Sequence, residues 1–288
     1  VTRRLALLLA AVLSCVAYAP PPATALTRPA KVLTIVLENH SAGQAVAQMP
    51  YLRQLGMQYG YTTGYHAVAH PSLPNYLALA GGTTYGVVDD NGPAAHPIHG
   101  SSVFDQAVAR GRTAKTYAES MPSPCAMGNA GQYVPRHNPW TYYADATSRA
   151  NCRRWDVPAG TPSGGALRTD IRNGTLPTVG LLVPNMCHDG HDCPLSTADG
   201  WLHGWLPIVM AGPDYTAGRL AIVVTFDEDD NTAANTVLTT VVSPYTHHVV
   251  SGEAYTHYSW THYAEQLVGS AALNNAGSAP SLRPAFGI

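Results

Sequence analysis

The chain has 288 residues, 45% of them apolar and only 12% charged, roughly half the usual charged share, which excludes a natively unfolded protein and leaves ample material for a core. That length is about two average domains or one large α/β domain. Its formal charge is −2, with basic residues scattered rather than blocked, which excludes the cationic stripe of a nucleic-acid binder, while thirteen histidines against two lysines point towards a site, since imidazole titrates near neutrality and is the commonest metal ligand.

The first 26 residues carry Arg3 and Arg4, an apolar run from Leu5 to Ala19, then small residues and prolines. This is the three-part pattern of a secretory signal peptide, with cleavage expected after Ala25 in Ala23-Thr24-Ala25. The run falls short of the roughly 20 apolar residues that span a bilayer, and no later segment is long enough, so the expectation is an exported chain without stable membrane insertion. Four cysteines then remain: Cys125, Cys152, Cys187 and Cys193. An even number in an exported chain reads as disulfides, and closeness in sequence favours Cys125 with Cys152 and Cys187 with Cys193. The competing arrangement is a zinc site of Cys187, His188, His191 and Cys193, whose spacing is not that of the usual zinc modules.

A β-branched run from Val32 to Leu37 predicts a buried strand and ends in Glu38-Asn39-His40-Ser41. A carboxylate and an amide oxygen at a strand's end can ligate a divalent cation; Asn39 or Ser41 can equally cap the next helix. Tyr51 to Tyr59 reads as helix. His70-Pro71-Ser72-Leu73-Pro74-Asn75-Tyr76 then opens a second one, Ser72 to Ala80. There Ser72 serves either as a plain cap with Pro74 in the first turn or as a residue placed where helix N–H groups favour an anion such as phosphate.

Gly81 to Gly174 is rich in Gly, Pro, Ser, Tyr and Trp, with a helix expected only at Ser102 to Arg110; the rest reads as long ordered loops held by Cys125 and Cys152. A second buried strand is expected at Val179 to Val183 before Asn185, a helix at Trp201 to Ala211, and a third strand at Leu220 to Phe226. That strand ends in Asp227-Glu228-Asp229-Asp230, four like charges whose repulsion calls for water or a cation. A last helix is expected at Tyr258 to Val268, and the tail after Ala272 reads as a loosely held loop. Strand–helix alternation predicts an α/β fold, an α/β/α sandwich with a mainly parallel sheet. Ligands bind beyond the carboxyl ends of such strands, where Glu38, Asn39, Asp227 and Glu228 fall.

ENHS after the first strand, HPSLPNYLAL, TFDEDD and YTHYS occur in this order. Together with YAESMP, RHNPW, PNMCHDGHD and DGWL, they resemble the phosphoesterase family of bacterial phospholipases C and secreted acid phosphatases, within the alkaline phosphatase superfamily, from about Lys31 to Gly269. The short length and HPSLPNY bring it nearest to small secreted acid phosphatases, including those acting on phosphatidylinositol 3-phosphate. The resemblance implies an alkaline phosphatase-like fold over 26–288, one phosphoesterase domain with a loop-rich insertion around 81–174. It implies Ser72 as nucleophile, passing through phosphoserine, and Glu38, Asn39, Asp227, Glu228 and the Ser72 oxygen as ligands of a divalent cation. It also implies Asn75 as a donor to the phosphoryl group, with His191, Asp192, His257 and, more weakly, His70 around the phosphate; His191 and His257 are the candidates for catalysis among them. Two-metal members carry Asp-His where this chain has Asp227-Glu228, and Asp where it has Asn185, so one cation is expected and a second stays open. Mixed oxygen ligands suit calcium, magnesium, manganese or iron and do not exclude zinc. The expected function is a secreted metal-dependent phosphomonoesterase whose substrate is a phosphorylated small molecule or phospholipid headgroup. The alternatives are a phospholipase C or other phosphodiesterase on the same site, and a non-catalytic exported module holding structural calcium.

Overall fold

The computed structural model describes Val1 and residues 28–288; the expected signal peptide and its cleavage point lie outside the described residues. The strands are, in chain order, β1 (Lys31–Leu37), β2 (Gly60–Thr62), β3 (Tyr65–His66), β4 (Ala114–Ala118), β5 (Asp156–Pro158), β6 (Val179–Val183), β7 (Leu220–Phe226), β8 (Thr239–Val242), β9 (Val249–Ser251) and β10 (Tyr255–Thr256). The helices are α1 (Ala42–Gln48), α2 (Pro50–Gln58), α3 (Ser72–Gly81), α4 (Val103–Ala109), α5 (Ala146–Trp155), α6 (Ala166–Asn173), α7 (Leu195–Met210), α8 (Pro213–Thr216), α9 (His257–Val268) and α10 (Arg283–Phe286).

Eight strands form one sheet in the order β5-β4-β6-β1-β7-β8-β2-β9, and β3 pairs with β10 in a small second sheet. Within the large sheet β8 alone runs against the others. The near-continuous aliphatic runs of β6 and β7 are buried at every residue, and β1 at every residue after Lys31; strands of that composition need a helical layer on each face. One layer packs α3, α4 and α9 together, and the other packs α1, α2, α7 and α8. The expected α/β/α sandwich with a mainly parallel sheet is therefore the observed one.

After β2, which lies far out on one flank of β1, the chain fills the opposite flank with β4, β5 and β6 and then crosses back to place β7 directly beside β1. The crevice at such a reversal is where ligands bind in open α/β sheets. Register sets it level: Leu37 pairs with Phe226, so Glu38 and Asp227 leave the sheet side by side. Next to this edge starts α3, whose ten residues are all buried, as a helix apolar around its circumference requires. It stops at Gly82 with φ of 69°. A Cβ there would lie 2.3 Å from the Leu273 carbonyl oxygen, so only glycine fits both the conformation and the close approach.

Two expectations are corrected. The segment 81–174 is not only loops and one helix: it supplies β4, an inner strand between β6 and the edge strand β5, and also β5, α5 and α6. Ala-Lys-Thr-Tyr-Ala of β4 shows no aliphatic run because Lys115 escapes to Asp170 at 2.6 Å and the Tyr117 hydroxyl donates to the same carboxylate at 2.7 Å. The tail is also packed rather than loose. Leu282, Phe286 and Ile288 are buried, and the Asn274 amide donates to the Gly81 carbonyl at 2.7 Å. The cysteines pair as expected, Cys125 with Cys152 and Cys187 with Cys193, so no zinc is held by the second pair. Among the described residues no helix is long and apolar enough to cross a membrane.

Candidate active site

The end of β1, the end of β7 and the first turn of α3 bring Glu38, Asn39, Ser72, Asp227 and Glu228 to one point. Ser72 is the first residue of α3, behind Pro71, and is 2% exposed. Its hydroxyl donates to Glu38 Oε2 at 3.0 Å and lies 3.4 Å from Asn39 Oδ1 and 3.5 Å from Glu228 Oε1. Asp227 Oδ1 accepts from the Asn39 backbone N–H at 3.0 Å, tying the two strand ends together. Ser41, not Asn39, caps α1, in a reciprocal capping box with Gln44, so Asn39 is free of that duty.

The electrostatics call for a counter-charge. Glu38, Asp227 and Glu228 are buried, and among the described residues no lysine or arginine pairs with them. Burial, then the charges of Asp227 and Asp189, pushes the Glu38 carboxyl well above its usual range. Burial pushes Asp227 up to about 7, and burial with the Asp227 charge pushes Glu228 up to about 9. Asp227 Oδ2 has no hydrogen-bond partner among the described residues. The Asn39 amide oxygen faces only acceptors, and with the amide turned over its nitrogen would donate to Glu38 Oε2, Glu228 Oε1 and Asp227 Oδ1 at 3.2, 3.1 and 3.3 Å. A hard divalent cation among these oxygens satisfies the unturned amide, the orphaned carboxylate oxygen and the excess negative charge together. The residues therefore fit the expected ligand set.

The other expected residues are distributed around this centre. His70 sits on the acidic strand end, with Nδ1 2.7 Å from Glu228 Oε2 and Nε2 3.2 Å from Asp229 Oδ1. His191 and Asp192 form a pair on the rim, Nδ1 to Oδ1 at 2.8 Å, and His191 Nε2 turns towards Arg136 Nη2 at 3.4 Å. Two more are held in hydrogen bonds within the protein. Asn75 accepts from the Val68 and Ala69 backbone N–H groups, both at 3.0 Å, and donates to the Ala69 and Pro71 carbonyls at 2.8 and 3.2 Å. Its amide braces the turn that presents Ser72, and Nδ2 also reaches Glu228 Oε2 at 3.5 Å. His257 is fully buried with both ring nitrogens engaged, Nδ1 with the Tyr65 hydroxyl at 3.2 Å and Nε2 with the Asp227 carbonyl at 2.6 Å. It lies behind Asp227, and burial lowers it to about 4, which keeps it neutral.

Three further residues complete the centre. His137, in a short helical turn between Pro135 and Pro139, is 1% exposed, with Nε2 3.3 Å from Glu38 Oε2 and Nδ1 3.2 Å from Asp189 Oδ2. Its ring stacks on Tyr76, centroids 5.2 Å apart, and the Tyr76 hydroxyl donates to Glu38 Oε1. Burial, then the charges of Arg136 and His191, lowers the imidazole well below its usual value. The ring thus stays neutral between the two carboxylates of Glu38 and Asp189. Tyr76 was legible, since it stands four residues after Ser72 and so on the same helix face. Asp189 lies inside PNMCHDGHD and His137 inside RHNPW; only the tertiary fold shows that they meet at Glu38.

The sequence model of the Phosphoesterase family matches residues 42–269. A phosphatidylinositol-3-phosphatase from Mycobacterium tuberculosis is 28% identical over 92% of this chain and 85% of its own length. An acid phosphatase from Aspergillus fumigatus is 30% identical over 67% of this chain. The chain spans under half the length of the fungal relatives, 43% for that protein and 40% for a phosphate-repressible acid phosphatase of Penicillium chrysogenum. Among solved structures, an alkaline phosphatase superfamily protein from Vibrio parahaemolyticus superposes with a TM-score of 0.57 at 13% identity, over 90% of this chain and 72% of that one. The match over most of the chain, on a fold shared with that superfamily, shows that the chain belongs to the Phosphoesterase family.

Proposed function

We propose that this phosphoric ester hydrolase is an exported, metal-dependent phosphomonoesterase of the acid phosphatase type that works through a phosphoserine on Ser72. The observation that carries this is the Ser72 hydroxyl, buried at the first turn of α3 and hydrogen-bonded to Glu38 inside an acidic cluster that no lysine or arginine pairs with among the described residues. Names borne by the relatives, acid phosphatase and phosphatidylinositol-3-phosphatase, support a phosphorylated small molecule or lipid headgroup as substrate. Export is supported by the pattern of the first 26 residues and by two disulfides, which belong to oxidising compartments.

Glu38 accepts the hydroxyl proton and orients Ser72 Oγ for in-line attack on phosphorus. A divalent cation held by Glu38, Asn39, Asp227, Glu228 and the serine oxygen would favour the alkoxide and offset negative charge on the phosphoryl group. The α3 N-terminus adds its dipole to the same end. His191, on the rim and oriented by Asp192, donates a proton to the departing alcohol and afterwards activates the water that hydrolyses phosphoserine. His137 bears on Glu38 from the other side, with Asp189 next to its Nδ1, and His257 and Asn75 act as positioning residues for Asp227 and Ser72.

The test is hydrolysis of an aryl phosphate and its matching diester by the purified protein, with and without chelator. Chelator-sensitive cleavage that favours the monoester is expected. Preferential cleavage of the diester would assign the site to a phosphodiesterase, and no cleavage with any of the five metals would contradict an enzymatic role.

A further inference from the structure

Beside Ser72, the next backbone N–H of α3, that of Leu73, is already taken. It donates to Asp90 Oδ1 at 2.9 Å. The other oxygen of the same carboxylate faces Arg136 Nε at 3.9 Å, close enough for attraction and too long for a hydrogen bond. Arg136 Nε is buried and has no hydrogen-bond partner among the described residues, while Nη2 touches His191 Nε2 and Met186 Sδ, each at 3.4 Å. The neighbouring His137 Nε2, on a side chain 1% exposed, is likewise unpartnered and points to Glu38, which holds the Ser72 hydroxyl.

The placement of Asp90 is built. On one side Asp89 holds His96 at 2.6 Å and the Asn91 N–H at 2.9 Å. On the other the Asn91 carbonyl accepts from the Tyr142 hydroxyl at 3.0 Å. The backbone is thus fixed around Asp90, whose side chain reaches inward and stays 35% exposed. A carboxylate lying between a helix N-terminal N–H and a guanidinium occupies the position of an oxyanion beside Ser72. A phosphoryl group has the same planar-fork complementarity to arginine and carries more charge.

We propose that Arg136 is a substrate-binding residue for the phosphoryl oxygens, and that the Asp90 carboxylate is an internal competitor which the phosphoryl group displaces from Leu73 N–H and Arg136. This rests on the phosphatase reading of the site. It makes a further claim about specificity: a monoester has one more unsubstituted oxygen than a diester, so the Arg136 contact favours monoesters. Arg136 acts on binding, and Asp90 sets how tightly phosphate is held after turnover.

The experiment measures affinity for inorganic phosphate by calorimetry on metal-loaded wild type, Arg136→Ala, Arg136→Lys and Asp90→Asn. Monoester and diester KM and kcat, and thermal midpoints, are measured alongside. Arg136→Ala is expected to weaken phosphate by about tenfold to a hundredfold, the range of a charge-assisted hydrogen bond. It should raise KM for the monoester more than for the diester, with partial recovery in Arg136→Lys. Asp90→Asn is expected to bind phosphate severalfold more tightly, which a carboxylate that merely caps α3 would not produce. Phosphate affinity unchanged in Arg136→Ala, or unchanged or weaker in Asp90→Asn, overturns the proposal even where wild type turns over monoesters. Absence of turnover in wild type instead rejects the reading on which it rests, and the phosphate affinities still decide whether Arg136 and Asp90 compete as described.

Discussion

Removal of the cation should make the stability of this protein depend on pH in a way that the loaded protein does not share. Burial raises Asp227 to about 7, against about 3.9 for an ordinary aspartate. Between these values the folded metal-free chain keeps a proton that the unfolded chain has released, so stability falls as pH rises through that window. At about 1.36 kcal/mol per pH unit, the cost of holding Asp227 ionised is about 4 kcal/mol at neutrality. Glu228, raised to about 9, extends the loss in the same direction to higher pH. A bound cation keeps both carboxylates ionised at all these values and removes the dependence. For a domain of this size about 4 kcal/mol corresponds to on the order of 10 °C in thermal midpoint. The assay is a set of melting curves from pH 4.5 to 8, with chelator and with saturating cation, read as the difference between the two at each pH. Asp156 and Glu265, raised by burial to about 8 and about 7, titrate in both series and cancel. A difference that grows with pH is expected, and it should shrink in Asp227→Asn. Parallel curves would refute the argument that these carboxylates surround a cation.

Asp156→Asn should stabilise the protein at pH 8 and leave it unchanged near pH 4, because a buried carboxyl raised to about 8 is costly only when ionised, and the new amide keeps one oxygen to accept from Asn138 Nδ2, which now donates to both carboxylate oxygens; thermal midpoints at the two pH values check this. Reducing the disulfides should lower stability by about 3.5 kcal/mol for the Cys125–Cys152 loop and about 2 kcal/mol for the Cys187–Cys193 loop, on loop-closure entropy for separations of 27 and 6 residues. Single-pair serine variants in denaturant titrations measure each, and equal losses for the two would contradict the entropic account.

What the sequence made legible were the parts dictated by local pattern. The aliphatic runs of β1, β6 and β7 have ends that agree with the structure to within one residue, because strands buried on both faces leave no polar residue to blur them. The same ends placed Glu38, Asn39, Asp227 and Glu228 at one edge. The start of α3 at Ser72 followed from Pro71 and Pro74. Short strands paired by tertiary context were not legible: β4 reads as Ala-Lys-Thr-Tyr-Ala because distant Asp170 satisfies its polar groups. For the same reason His137 and Asp189 were missed. Each looks like one more polar residue in a Gly- and Pro-rich stretch until the fold brings it, 99 and 151 residues along the chain, to Glu38. For His257 and Asn75 the motif names the residue without saying which partners its nitrogens engage, and those partners only the fold supplies.

The most direct test of the account is to mix the metal-loaded protein with a phosphomonoester, quench in acid within the first turnovers, and map covalent phosphate by mass spectrometry, beside Ser72→Ala with its fold and metal content checked. The account predicts one phosphoryl group, on Ser72, in the wild type, and neither label nor turnover in the variant. Turnover at the wild-type rate in Ser72→Ala would contradict it.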